Sequence, residues 1–539
     1  MKTLRPTWLL VLAAWTLPLT ALAHGDDLAS KNGKLGRVLF KTTCTPEAQK
    51  QFERALAMLH SFHFPETVKT FTAIPQADPD CAIAYWGMAI SQRPNPLVGP
   101  WDAATLKRGL DFVQKGESIG AKSERERDWL AAIKVFYQGY ETIDQDTRTR
   151  SYERAMDALA RKYPDDVEAK VFHALALNEI FDHKSMDPLL KAIAILTPLD
   201  KKYPDHPGIT HYLIHSYDFA PIAQKGLPAA DKYAKIAPAA PHAQHMPSHI
   251  YSMVGKWNES IASNLSAVKV SEAYAAENKM DGVLAGVPHS YDFMQYAYLQ
   301  LGQDEKAKGL IEKAAVVKKV IGPVSAGNTA RAAVPARYML ERQDWKGAAE
   351  LPVLNTPFPA ADAITYFARA MGKARSGDPA GAQADIDKMI ALREGLLKAN
   401  QNYWAEQIEV QILAARGWQA QARGNAEEAF KLMAAAANLE DSTEKHVAME
   451  NRLYPMRELF ADMLMIQGQP GAALVAYEQS MKAAPERLRG YYGAAKAAEA
   501  VGDKVKANEY FRKLALLTRT GDGTRAELKE AKMHVAGKA

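Results

Sequence analysis

The sequence predicts an all-α protein, an α-solenoid built from helix–turn–helix repeats. Helix-forming residues dominate the 539-residue chain, and strand signals are almost absent. Near the C-terminus, a triplet of Gly, Ala and an aromatic residue recurs after 34 residues, as Gly468, Ala473 and Tyr477 and then Gly502, Ala507 and Phe511. Because 34 residues is the length of one helix–turn–helix repeat, stacked helix pairs are expected.

The first 23 residues predict a secretory signal peptide. Lys2 and Arg5 form a basic start, an apolar stretch follows, and Ala21-Leu22-Ala23 has the small-x-small pattern of a cleavage site. We therefore expect cleavage near Ala23-His24 and a periplasmic or secreted mature chain. No later stretch is long and apolar enough to span a bilayer, so no membrane span is expected after cleavage.

The rest of the chain divides by composition and repeat pattern. The predicted parts are an N-terminal segment at 24–45, an N-terminal array with a His-rich groove at 46–286, a C-terminal array at 287–517 and a charged capping tail at 518–539. Residues 322–329 and 352–360 are rich in Pro and Gly and predict connections between repeats.

The charge distribution indicates which kinds of partner to expect, and the cysteines indicate the redox compartment. The formal net charge is +5 and the charges are interspersed, so nucleic acid is not an expected partner. The two cysteines, Cys44 and Cys81, are 37 residues apart, close to one repeat length. An exported chain meets an oxidising compartment, so a disulfide bond between them is expected. The alternative is two separately buried thiols, and no Cys-x-x-Cys spacing supports a metal role for the pair.

The most specific chemical signal is a pair of His-xxx-His motifs, His211 with His215 and His245 with His249. Residues four apart lie on one face of a helix, so each pair can hold one ligand. The second pair follows the first by 34 residues, which gives the pairs equivalent positions on successive repeats.

The position of each of these histidines can be counted from the start of its own repeat, with repeats starting at residues 207, 241 and 288. The four paired histidines fall at positions 5 and 9 of the first two repeats. His242 and His289 fall at position 2 of the second and third repeats. We expect the four paired rings to converge, with His242 and His289 at the margin.

The chain resembles tetratricopeptide-repeat proteins. It is also similar to a bacterial exported tetratricopeptide family with HYxIH and HMPSHI signatures, which stand here at His211–His215 and His245–Ile250. Ala84-Tyr85-Trp86-Gly87 and Asn264 fit the same family. The resemblance implies that positions 2, 5 and 9 line the concave groove of the solenoid, but it implies no activity.

Three interpretations of the histidines stay open. They can be structural, bonded to neighbouring helices and loops. They can bind a metal, because imidazole suits Zn, Cu, Ni and Fe. They can also form a polar groove for an anionic or peptide ligand. His60 and His63 are interpreted as packing residues and His173 as a core residue.

The sequence therefore predicts an exported binding or scaffold protein whose groove receives a protein or peptide partner. The alternative is a metalloprotein, or a metalloenzyme, with a His-coordinated metal in the groove. No His-Glu-x-x-His motif is present, which excludes that class of zinc protease. No catalytic residue is assigned.

Overall fold

The computed structural model describes residues 33–523 and 525–537. The predicted signal peptide, residues 1–23, and its cleavage point Ala23-His24 lie outside these residues. None of the helices in the described part combines the length and the apolar character needed to cross a membrane.

The first half of the described chain is a run of helices, each packed on its neighbours in sequence. These helices are Pro46–His60 (α1), Phe64–Ala77 (α2), Ile83–Ile90 (α3), Ala103–Ile119 (α4), Glu124–Tyr137 (α5), Gln145–Lys162 (α6), Val167–Glu179 (α7), Asp187–Lys202 (α8), Pro207–Tyr217 (α9), Leu227–Ile236 (α10), Pro241–His245 (α11), Pro247–Met253 (α12) and Trp257–Glu277 (α13). Short 3-10 helices lie at Pro96–Val98 and Ala223–Gly226.

The second half continues the array. Its helices are Gly286–Gln300 (α14), Asp304–Ala315 (α15), Val324–Glu341 (α16), Trp345–Ala349 (α17), Pro359–Ser376 (α18), Ala382–Lys398 (α19), Asn402–Ala422 (α20), Ala426–Asp441 (α21), Met456–Ile466 (α22), Pro470–Ala483 (α23), Leu488–Ala500 (α24), Lys504–Leu517 (α25) and Ala526–Val535 (α26). Two short parallel strands, Val283–Leu284 (β1) and Val320–Ile321 (β2), pair beside α14. The fold is the predicted all-α solenoid of tetratricopeptide-like helix pairs.

The C-terminal repeats show why these residues form helix pairs. After α22, Gly468 has φ +72°, a left-handed conformation that ends a helix without a Cβ clash. Ala473 of α23 is fully buried, which lets the helices approach closely. The ring of Tyr477 packs against α24 so tightly that a Cβ on Gly493 would lie 2.2 Å from it. The recurring Gly, Ala and aromatic residues therefore end the first helix, allow close packing and fill the gap to the next repeat.

One predicted connection is wrong in its extent. Residues 322–329 were expected to link repeats, yet α16 begins at Val324. Pro323 stands directly before the first helical turn, where the backbone N–H groups have no intrahelical partner and a proline is tolerated. The predicted connection at 352–360 is non-helical up to Phe358.

Cys44 and Cys81 form the disulfide bond that their spacing predicts, with Cα atoms 4.9 Å apart. It joins a residue two positions before α1 to a residue two positions before α3, and so holds the first helix pair closed.

Contacts between residues far apart in the sequence also hold the array together. Arg487, at the start of α24, donates to Glu341 at the end of α16 over 2.8 Å and to the hydroxyl group of Tyr296 on α14. Between the two halves, the backbone carbonyl of Lys445 lies 3.2 Å from Nδ1 of His183. This contact brings the segment between α21 and α22 against the N-terminal array.

Candidate metal centre

Three consecutive stretches of the array carry the six predicted site histidines. Helix α9 carries two, α11 and α12 together carry three, and α14 carries one. Their rings come together in one place, which we call the histidine cluster: His211, His215, His242, His245, His249 and His289. Five of these side chains are buried, and His242 is half-buried.

The second His-xxx-His motif spans two helices, where the sequence predicts one. Helix α11 ends at His245 and α12 begins at Pro247, because proline lacks the N–H group that would continue the helical hydrogen bonds. Met246 between them keeps helical dihedral angles, φ −54° and ψ −36°. The rings of His245 and His249 therefore still meet, with centroids 4.9 Å apart.

The histidine cluster divides into two triads. In each triad, one nitrogen atom from every ring lies within 4.8 Å of a nitrogen from each of the other two rings. The first triad is His211, His215 and His242, and the second triad is His245, His249 and His289.

Each triad contains one close approach between ring nitrogens. In the first, Nε2 of His242 lies 3.1 Å from Nε2 of His211. In the second, Nε2 of His245 lies 3.0 Å from Nε2 of His249. The triads adjoin, since the ring centroids of His215 and His249 are 6.2 Å apart.

Second-triad ring orientations are set by hydrogen bonds at Nδ1. Nδ1 of His245 lies 2.7 Å from Oδ1 of Asn264, and Nδ1 of His249 lies 2.7 Å from Oδ2 of Asp218. The amide of Asn264 is oriented unambiguously, because its nitrogen donates to the carbonyl oxygen of Ser260 over 2.8 Å. Both histidines therefore face an oxygen that only accepts, and both must carry their proton on Nδ1.

This tautomer has a direct consequence at the other ring nitrogen. With the proton on Nδ1, a neutral imidazole presents a lone pair at Nε2. His245 and His249 thus point two lone pairs at each other over 3.0 Å, which is not a hydrogen bond. In the first triad, Nδ1 of His211 donates to the carbonyl oxygen of His60 over 2.6 Å. There a proton on Nε2 of His242 can satisfy the 3.1 Å contact.

Several buried polar atoms of the cluster have no hydrogen-bond partner among the described residues. They are both ring nitrogens of His215, Nδ1 of His289 and Oδ1 of Asp218. An unsatisfied buried polar group costs about 1–3 kcal/mol, so such atoms are uncommon without a ligand.

Lys445 reaches the cluster from the C-terminal array. Its ammonium group donates to Oδ2 of Asp218 over 2.7 Å, and both side chains are buried. The carboxylate of Asp218 therefore accepts from Lys445 and from His249 at the same time. Next to it, His446 is stacked on His183, with ring centroids 5.2 Å apart.

Burial lowers the pKa of every histidine in the cluster. The pKa of His245 falls to about 4, and those of the other five fall well below 6.5. Desolvation is the first cause in each case. Neighbouring charge adds to it, from the ammonium group of Lys445 for His249 and from other imidazoles for the remaining four. The rings are therefore neutral at pH 7.

A cavity of about 850 Å³ adjoins the cluster. Every ring of the cluster except that of His211 lines it. Aromatic side chains line other parts of its wall, among them Phe62, Phe64, Trp101 and Phe358. The ring of Phe62 is stacked on His242 at 5.3 Å. Cavities of this size bind small molecules.

Sequence reasoning missed a second group of buried histidines. His60, interpreted as a packing residue, has Nε2 2.9 Å from Glu168 and Nδ1 3.0 Å from the hydroxyl group of Tyr212. His206 lies 3.0 Å from the same carboxylate, and its other nitrogen accepts a backbone N–H. All four ring nitrogens have partners, so this group is structural. Its role at the cluster is to hold the His60 carbonyl against His211.

Of the other two histidines interpreted from the sequence, His63 packs as predicted, with its ring 4.7 Å from that of Tyr274, while His173 lies at the edge of the core. His63 is buried, but it also lines the cavity, and its Nε2 has no hydrogen-bond partner among the described residues. His173, expected in the core, is half-buried and lies 3.0 Å from Glu153.

Comparisons with known proteins assign no family to the chain. No family model and no curated protein matches the chain. Among solved structures, the chain is similar to yeast Tom70 at 10% identity, over 91% of this chain and 96% of that one, with a TM-score of 0.33. It is similar to a tetratricopeptide repeat protein from Parabacteroides merdae at 13% identity, over 68% and 98% of the two chains, with a TM-score of 0.24. At these TM-scores the likeness carries no argument about function.

Proposed function

We propose that this protein binds a transition-metal ion in the histidine cluster. The observation that carries the proposal is the contact between His245 and His249. Their Nε2 lone pairs face each other over 3.0 Å, while Nδ1 of each ring is committed to an oxygen acceptor. A cation between the two nitrogens turns this repulsive contact into two bonds.

The distances suit such an ion. Metal–imidazole bonds are about 2.0–2.1 Å long, which sets two adjacent nitrogen ligands about 2.9–3.4 Å apart at octahedral or tetrahedral angles. The contacts of 3.0 and 3.1 Å fall in that range. The bonds from Nδ1 to Asp218, Asn264 and the His60 carbonyl are also of the kind that orients metal-binding histidines.

The donor set indicates which metals fit. All ligands are imidazoles, which suit Zn, Cu, Ni and Fe rather than Mg or Ca. Both cysteines are in the disulfide bond, so no thiolate is available. Asp218 is held by Lys445 and His249 and acts on the ligand ring, not on the metal.

The experiment uses the mature chain prepared without an affinity His-tag. Zinc is added to chelator-treated protein, excess metal is removed, and bound metal is measured by mass spectrometry. We expect bound zinc in the wild type and a smaller amount of it in His245→Ala/His249→Ala. His173→Ala, which removes a histidine outside the cluster, is the matched control. Wild-type protein that keeps its helical circular dichroism and retains no zinc would refute the proposal.

A protein or peptide partner in the groove is the second candidate. The cavity beside the cluster has a volume of about 850 Å³, which suits a small molecule better than an extended peptide. Co-purification of a peptide that is released by His245→Ala/His249→Ala, with no metal in the protein, would favour this candidate.

We also propose that the chain is exported. The signal-like residues 1–23 motivate this, and the disulfide bond between Cys44 and Cys81 supports it, because such bonds persist in oxidising compartments. The test is intact mass after cell fractionation. A periplasmic or secreted protein that begins at His24 is expected, and a cytoplasmic protein that retains Met1 would contradict it.

A further inference from the structure

We infer that the histidine cluster binds two metal ions, one in each triad. This inference rests on the proposed function and adds to it the number of ions and the division of the ligands.

The first argument is the repeat register. The first triad consists of positions 5 and 9 of the repeat that starts at residue 207 and position 2 of the next repeat. The second triad consists of positions 5 and 9 of the repeat that starts at 241 and position 2 of the repeat that follows it. One ligand set is therefore present twice, displaced by one repeat along the solenoid.

The second argument is the distance between the ring nitrogens of the six histidines. Within each triad, ring nitrogens meet within 4.8 Å, and two of them are 3.0 or 3.1 Å apart. The six nitrogens do not form one such group; the triads have no member in common. The ring centroids of His215 and His249, 6.2 Å apart, and of His242 and His245, 6.1 Å apart, mark where the triads adjoin. One ion with bonds of about 2.1 Å holds nitrogens that are at most about 4.2 Å apart, so it does not hold all six.

The third argument is that each triad contains its own buried ring with unpartnered nitrogen. In the first triad it is His215, with both ring nitrogens unpartnered and 2% of its surface exposed. In the second it is His289, with Nδ1 unpartnered and 6% exposed. A single ion in one triad would leave the other triad's nitrogen without a partner, whereas two ions satisfy both.

The two sites share one opening. His215 and His242 of the first triad line the same cavity as the whole second triad. A small ligand in this cavity can therefore reach both ions. The ligand class that fits is a small molecule with one metal-binding end and an apolar body, because aromatic side chains form other parts of the wall.

The experiment counts ions. Zinc is the probe, because an amino-terminal histidine in the mature chain would chelate copper by itself. The chain is stripped with a chelator, loaded with zinc and desalted, and zinc is measured per chain by mass spectrometry. We expect two ions in the wild type, and one in each of His215→Phe and His289→Phe. His173→Phe, outside the cluster, should keep two.

The outcomes separate the two claims. Two ions in the wild type and one in each variant support the inference. One ion in the wild type overturns it and leaves the proposed function standing, whereas no ion overturns both. Circular dichroism checks folding; a variant that fails to fold is replaced by His215→Asn or His289→Asn, and the wild-type count decides on its own.

Discussion

Replacing Lys445 with Met tests how firmly the segment between α21 and α22 is held against the histidine cluster. Asp218 is fully buried, and its Oδ2 accepts from the Lys445 ammonium group and from His249, each over 2.7 Å. Lys445→Met leaves the buried carboxylate without this cation. Removing one partner of a buried ion pair costs about 3–5 kcal/mol. We expect the free energy of unfolding to fall by about that amount.

The assay is urea denaturation of metal-free protein, followed by far-UV circular dichroism. Lys184→Met is the matched control, because the ion pair of Lys184 with Glu406, at 3.0 Å, also joins the two halves of the array but is largely exposed. Such exposed pairs contribute about 0–1 kcal/mol. In Lys445→Met/Asp218→Asn both charges are gone, and an amide oxygen can still accept from His249. This double variant should lose less stability than Lys445→Met alone.

Two results would refute this reasoning. One is a loss below about 1 kcal/mol for Lys445→Met, equal to that of the control. The other is a loss of unfolding free energy in Lys445→Met/Asp218→Asn that equals the sum of the losses in Lys445→Met and Asp218→Asn. Two residues in contact are expected to be non-additive.

Three further perturbations have defined outcomes. Burial raises the pKa of Glu450 to about 8, so this group's contribution to stability is full below pH 4.5 and is lost as pH rises through 8. Glu450→Gln should therefore be more stable than the wild type at pH 9 and lose that advantage near pH 5. The difference in the free energy of unfolding should change by about 1.4 kcal/mol per pH unit below pH 8 and level off above it, measured as urea midpoints at both pH values. Cys44→Ala/Cys81→Ala should lower the free energy of unfolding by about 2–4 kcal/mol, and equal midpoints for variant and wild type would contradict this. Arg487→Met should lower it by about 3–5 kcal/mol, because two buried carboxylates lose their shared guanidinium group; limited proteolysis should then cut the C-terminal helices first.

The helical fold could be predicted because its signals are local. The residues that end a helix, pack it closely and fill the gap to the next helix lie within nine positions, as in Gly468, Ala473 and Tyr477. The spacing of 34 then predicts the stacking. The same logic placed His211 with His215 and His245 with His249. The break between α11 and α12 also has a local signal, since Pro247 lacks the N–H group that would continue the helix.

The partners that orient the rings were only partly predictable. Asp218 follows His215 by three residues, a spacing that places the two side chains on one side of the chain, and this signal could have found it. Lys445 lies 227 residues from Asp218, and no pattern in the sequence connects them. Its position depends on how the second half of the array closes on the first, which is a property of the whole superhelix.

The contacts between distant repeats change how this solenoid is expected to unfold. In an ordinary repeat array each unit contacts only its neighbours, so melting can start at an end and advance unit by unit. Here Arg487 joins α24 to α14 and α16, Arg525 donates to Asp304 over 2.6 Å, and Lys445 donates to Asp218. The C-terminal repeats cannot detach without breaking buried ion pairs with the middle of the chain. We therefore expect these repeats and the middle of the array to unfold together in one cooperative transition, and not one repeat at a time.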